Sequence, residues 1–140
     1  MIKHKKLPGN IEDLIPGAIK YLQTRQDIIF AYLFGSMARG KVLPLSDVDV
    51  AVYLKEPSDI QEKKMEILGG LIEILQTDEI DLVVLNRAPL PLRRRILENK
   101  KVVVDREPFR RHQYESLTMR EYFDFSIFEG QILNRRFISG

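Results

Sequence analysis

The chain has 140 residues, 44% of them hydrophobic and 30% charged, with a formal net charge of +2 and no cysteine. That length suits one domain, which near this size buries roughly 70% of the surface its unfolded chain exposes. Disulfides, thiolate metal sites and a cysteine nucleophile are excluded, no apolar run approaches the ~20 residues of a membrane span, and so mild a charge does not by itself argue for nucleic acid.

The start, Met1 to Lys6, is basic with no apolar segment behind it, so no signal peptide is expected. Together with the missing cysteine, this fits a reducing cytoplasm. Ile11, Leu14, Ile15, Ala18, Ile19 and Leu22 recur with helical spacing. Asn10 is a candidate cap, and Pro16-Gly17 predicts a kink or a later start. Ile28 to Phe34 is a continuous apolar run and reads as a buried strand that stops at Gly35-Ser36. A polar loop from Arg39 to Ser46 precedes a second strand, Asp47 to Tyr53. Ser58 is expected to open a second helix, with Gln61 completing a capping box. Its apolar face would be Ile60, Met65, Leu68, Leu71, Ile72 and Leu75, and Gly69-Gly70 either weakens it or permits a close backbone approach. Ile80 to Leu85 is a third strand. Pro91 opens a short helix through Leu97 that ends near Asn99. Lys101 to Val104 is a fourth strand. Beyond Pro108 the pattern is helical to about Phe125, and Ser126 to Gly140 shows no clear pattern. No internal repeat or low-complexity segment is present. Helices alternating with a few strands predict an α/β (α+β) fold, a mixed sheet of about four strands flanked by helices.

The informative segment is Gly35-Ser36, then ten residues, then Asp47-Val48-Asp49. Side chains alternate along a strand, so Asp47 and Asp49 share one face, roughly 7 Å apart at Cα. Val48, Val50 and Val52 take the opposite face and can enter the core. Asp81 sits between Ile80 and Leu82 and must point away from the side they bury. If the second and third strands are adjacent, three carboxylates converge on one patch. Their mutual repulsion is relieved by a hard divalent cation, and Mg²⁺ takes oxygen ligands, commonly one or two carboxylates plus substrate phosphates. Two such ions clamp an attacking and a leaving oxygen. Glycine at the strand end lets a phosphate approach the backbone, and a short helix beginning at Ser36 would add amides and a hydroxyl. Taken singly, each of these features is more often a solvated strand edge or an ordinary turn. Their register on expected strands is what favours a site.

Gly-Ser-x10-Asp-x-Asp with a later strand aspartate, here GSMARGKVLPLSDVDV and EIDLVVL, resembles the signature of the polymerase β nucleotidyltransferase superfamily. The resemblance implies a polymerase β-like fold, with residues 1–105 as the catalytic domain and 106–140 as a C-terminal helix and tail that packs or docks a partner. It implies that Asp47, Asp49 and Asp81 are catalytic and hold Mg²⁺, two ions in the family, and that Gly35 and Ser36 grip the β- and γ-phosphates of ATP. Arg39 either supports the phosphates or braces the loop. Because the chain is short for the superfamily, it looks like the minimal nucleotidyltransferases of MntA type. Asp105-Arg106-Glu107, Phe109 and the stretch Met119 to Phe125 are similar to the tail of those antitoxins. That subfamily implies adenylylation of a tyrosine on a cognate HEPN ribonuclease toxin, within a heteromeric complex. Two alternatives stay open: an antitoxin acting by binding alone, and a nucleotidyltransferase for an aminoglycoside-like small molecule.

Tyr122, Phe123, Phe125 and Phe128 are expected either to pack on the sheet or to form a docking surface, since aromatics are favoured at interface cores. Arg93-Arg94-Arg95, Arg110-Arg111 and Arg135-Arg136 read as solvated faces, and direct nucleic-acid binding is not expected. His4 and His112 lack ligand spacing and are expected at the surface.

Overall fold

The apolar run Ile28–Phe34 is strand β1, and all seven of its residues are buried. The structure, a computed structural model, describes residues 9–39, 47–55 and 59–138, with only the backbone of 132–138 described. The order is α1 (Ile11–Thr24), β1, β2 (Val48–Leu54), α2 (Ile60–Leu75), β3 (Ile80–Val84), α3 (Leu90–Glu98), β4 (Lys100–Asp105) and α4 (Pro108–Ile138). The strands form one mixed sheet in the order β3-β2-β1-β4, with β1 antiparallel to both neighbours and β2 parallel to β3. This is the expected fold class. β1 lies inside the sheet with both faces covered, which is why it shows no polar alternation.

The alternation of β2 divides the core in two. Val48, Val50, Val52 and Leu54 join Ala18 and Leu22 of α1 and Ile67, Leu71 and Leu75 of α2 on one face. Ala51 joins Phe30, Tyr32, Phe34, Leu85 and Ile96 on the other, beneath α3 and Tyr114 of α4. Asp49 has the parity of Ala51 and therefore belongs to the α3 side.

Several local expectations differ from the structure. Asn10 precedes α1, but its side chain makes no capping bond, and the helix runs on through Pro16. The described cap of α2 is Asp59, which accepts from the Glu62 amide at 3.0 Å, while Ser58 lies outside the described residues, as do 40–46 of the polar loop and His4. Met65 is 61% exposed rather than on the buried face, and Ile67 takes its place. α4 continues through the stretch that showed no clear pattern. Among the described residues no helix is long and apolar enough to cross a membrane.

Gly70 is where α1 approaches α2: a Cβ there would overlap the Tyr21 ring, whereas one at Gly69 would meet nothing within 4 Å. Alanine normally stabilises a helix interior over glycine by about 0.5–1 kcal/mol. Gly69→Ala is expected to show that gain. Gly70→Ala should instead lose about 1 kcal/mol by displacing the ring. Paired denaturant titrations check the opposite signs.

The first half of α4 is fastened to the sheet through polar contacts. The buried Tyr32 hydroxyl donates to Glu115 at 2.6 Å, and Arg111 bonds both Glu115 and Asp105. Lys100 lies 3.5 Å from the same carboxylate. Arg106 donates from Nε to the Ile28 carbonyl at 2.9 Å and from its terminal nitrogen to the carbonyls of Gln23 and Arg25, tying off the end of α1. Burial alone would raise the Glu115 carboxyl, but the Tyr32 hydroxyl, Lys100 and Arg111 outweigh it and hold the group below its ordinary value. A carboxyl lowered on folding stabilises fully above its unfolded range and loses that contribution as pH falls through its folded value. Glu115→Gln is therefore expected to cost about 2 kcal/mol at pH 7. The gap to the parent should close below roughly pH 4, as thermal melts across pH would show.

Candidate active site

β1 delivers the chain to Gly35, where φ is +63°. A three-residue 3-10 turn, Gly35–Met37, follows and is anchored by buried Met37. The Ala38 amide donates to the Gly35 carbonyl and the Arg39 amide to that of Ser36, each at 3.2 Å. Leu33 pairs with Val50, so this turn arrives beside Asp49. A Cβ on Gly35 would stand 2.5 Å from Asp49 Oδ2. Glycine is required twice over, by the backbone angle and by the carboxylate overhead.

The parallel pairing of β2 with β3 sets Asp49 directly opposite Asp81. Asp47 lies two residues before Asp49, on the same side of the chain. Asp47 and Asp49 are half-buried and Asp81 is exposed. All three line one cavity of about 550 Å³, together with Phe34, Gly35, Arg39, Arg95, Glu98 and Asn99. Of the residues singled out in the sequence, only Ser36 is not on its wall; it lies in the adjoining turn. The turn itself is too short to act as a helix end, so the anion site expected from a helix starting at Ser36 is not formed that way. His112 is exposed, as expected.

Arg95, Glu98 and Asn99 escaped the sequence reading. Successive residues on a helix point about 100° apart, so the Arg93-Arg94-Arg95 run is not one solvated face. Arg93 turns inward to Glu121 at 3.1 Å, Arg94 lies 4.2 Å over the Tyr122 ring, and Arg95 reaches the cavity. Only the pairing of β4 with β1, which sets Lys100 opposite Phe34, brings the end of α3 to the Gly35 turn. No motif spacing records that.

The acidic donors on the cavity wall are all carboxylates, with no histidine among the lining residues. That set suits a hard cation such as Mg²⁺ rather than zinc or another softer metal. Among the described residues no three such side chains already enclose an ion-sized space.

Residues 17–109 match the family described as Polymerase beta, Nucleotidyltransferase. The chain belongs to this family. The match spans well over half of the sequence and includes every wall residue of the cavity, so the protein is a nucleotidyltransferase. Among curated proteins none matches it. Among solved structures it is similar to a toxin-antitoxin crystal structure with AMP-PNP, at 22% identity and TM-score 0.68, covering 90% of this chain and 98% of that one. A tri-AMPylated Shewanella oneidensis HEPN toxin in complex with MNT antitoxin is similar at 20% identity and TM-score 0.63, covering 91% and 96%. A minimal nucleotidyltransferase is similar at 24% identity and TM-score 0.54, covering 65% and 93%. At these identities the likeness establishes the nucleotidyltransferase fold.

Proposed function

We propose that this nucleotidyltransferase is the antitoxin of a toxin-antitoxin pair, moving AMP from ATP to a tyrosine of a HEPN-type ribonuclease toxin in the cytoplasm. The observation that carries this reading is the extent of the likeness. The family match ends at residue 109, yet similarity to the toxin-antitoxin structure with AMP-PNP runs over 90% of the chain. It therefore reaches into α4, beyond the catalytic fold.

Asp47, Asp49 and Asp81 would hold Mg²⁺. A bound divalent cation supplies charge neutralisation between these carboxylates and the triphosphate. Gly35 leaves room for phosphate oxygens close to the backbone, Ser36 adds a hydroxyl beside them, and Arg39 and Arg95 bring positive charge to the same cavity. The acceptor oxygen attacks the α-phosphorus as the bond to the bridging oxygen breaks and pyrophosphate leaves. Asp81, the most exposed of the three carboxylates, would favour loss of the acceptor proton.

Acceptor recognition needs a second surface, and α4 offers one. Phe123, Phe125, Ile127 and Phe128 are 63%, 47%, 45% and 58% exposed, so residues 123–128 do not pack on the sheet as the first half of the helix does. Nearer its start, Tyr53, Arg110, Tyr114, Leu117 and Arg120 border a hollow of about 510 Å³. Clustered aromatics of this kind suit a protein interface.

Intact-mass spectrometry of this protein with Mg²⁺, ATP and the protein encoded beside it tests the reading. An AMP-sized increment on the partner is expected. A stable complex with no increment would replace catalysis by neutralisation through binding. Transfer to a small hydroxylated compound with no protein partner would replace the toxin as acceptor.

A further inference from the structure

Gly35 must hold a left-handed backbone conformation under a carboxylate, and one residue engages both of its backbone polar groups. The Gly35 amide donates to the Asn99 carbonyl at 3.2 Å, and Asn99 Nδ2 donates to the Gly35 carbonyl at 3.2 Å. Asn99 is itself fixed at the end of α3, where its amide donates to Ile96 at 3.3 Å, and Ile96 is fully buried. Its other side is fixed by β4, whose first residue pairs with Phe34. The phosphate-side turn is thus tied to the core of the domain through the backbone and the side chain of one residue. An amide is the group that suits this role, because it presents a neutral donor to a carbonyl; an aspartate would set oxygen against oxygen.

We propose that Asn99 is a positioning residue for nucleotide transfer, clamping the Gly35 turn in the conformation that receives the β- and γ-phosphates. This rests on the proposed reading of that turn as the phosphate site. Asn99 touches the cavity wall, but its action on the nucleotide runs through Gly35. Losing the side-chain bond leaves the Gly35 carbonyl with only the Ala38 amide and lets the turn relax away from Asp49. Contacts to the outer phosphates are then weakened while those to the nucleoside and α-phosphate are kept.

The discriminating quantity is the ratio of ATP to AMP affinity, measured on the full chain with Mg²⁺ by calorimetric titration. Asn99→Ala is expected to weaken ATP about tenfold and AMP less than twofold. Asn99→Ser, which cannot reach the Gly35 carbonyl but keeps a small polar side chain, should behave the same way if the alanine variant folds poorly. Asn86→Ala supplies the comparison for a purely structural loss: it removes the 2.8 Å bonds its side chain makes with the Leu54 amide and carbonyl, outside the nucleotide cavity, so its melting temperature should fall with the ratio unchanged. A folded Asn99 variant that keeps the parent ratio overturns the clamp while leaving the nucleotide site standing. A parent protein that binds AMP as tightly as ATP overturns the phosphate role of the turn, and the clamp with it.

Discussion

Asp49→Asn is expected to lower AMP transfer by about a thousandfold or more, while the protein keeps its fold. Preorganised electrostatic groups at a reaction centre typically contribute 10²–10³ each when removed singly. In the proposed mechanism Asp49 carries more than one such task, because it stands between the Gly35 turn and Asp81 and is shared by both sides of the cavity. Asparagine has nearly the same shape, and the core face of β2 is built from Val48, Val50 and Val52, not from Asp49. The melting temperature should therefore move by no more than a few degrees. Glu73→Gln, an exposed change on α2 at a residue that does not line the cavity, should leave transfer within about twofold. Counting adducts on the partner by mass spectrometry over time gives the rate. Undiminished transfer by the Asp49 variant would remove the carboxylates from the mechanism.

A cellular version of the same experiment separates the two antitoxin readings. If adenylylation neutralises the partner, the Asp49 variant fails to protect cells at ordinary expression. If docking through α4 suffices, it protects as well as the parent, and replacing Phe123 and Phe128 by polar residues abolishes protection instead. Both phenylalanines are largely exposed, so their replacement should leave the fold of the nucleotidyltransferase domain untouched.

The parts of this architecture that were legible in the sequence are those governed by local periodicity. β1 announced itself as seven apolar residues in a row, and β2 through valines alternating with aspartates. From that alternation alone Asp47 and Asp49 fall on one face, and parallel pairing with β3 then places Asp81 beside them. Features settled by tertiary contact were not legible. Nothing in the spacing shows that Asn99 meets Gly35, because the two are 64 residues apart and joined by strand pairing. Met65 fits the helical pattern of α2 as well as Ile67 does, and only the angle at which α2 lies on the sheet separates them. Pro16 removes an amide from α1 without ending it, since packing of Ala18 and Leu22 beyond it holds the helix together. The polar run at 93–95 splits three ways for a similar reason. Once α4 is laid across α3, Arg93 and Arg94 acquire partners in Glu121 and Tyr122 that the local sequence does not announce.

Gly35→Ala should be nearly as damaging to transfer as Asp49→Asn, but with a different signature. A left-handed backbone costs an alanine roughly 1–2 kcal/mol, and its methyl would lie 2.5 Å from Asp49 Oδ2, well inside van der Waals contact. Either the turn rotates away or the carboxylate does, and both belong to the proposed catalytic wall. A displacement of about 1 Å in such a site commonly costs a hundredfold in rate. Transfer is therefore expected to fall at least a hundredfold, accompanied by a loss of about 2 kcal/mol in stability that Asp49→Asn does not show. The double variant Gly35→Ala/Asp49→Ala tests the cause, because it removes the carboxylate that the methyl strikes. Part of the lost stability should return, leaving only the backbone term, while transfer stays abolished. If stability does not recover, the steric conflict lies elsewhere in the turn and the close approach of Gly35 to Asp49 is not what demands glycine there. Coupling between two sites in contact is expected to reach 0.5–3 kcal/mol, large enough to be resolved by denaturant titration of the four proteins in the cycle.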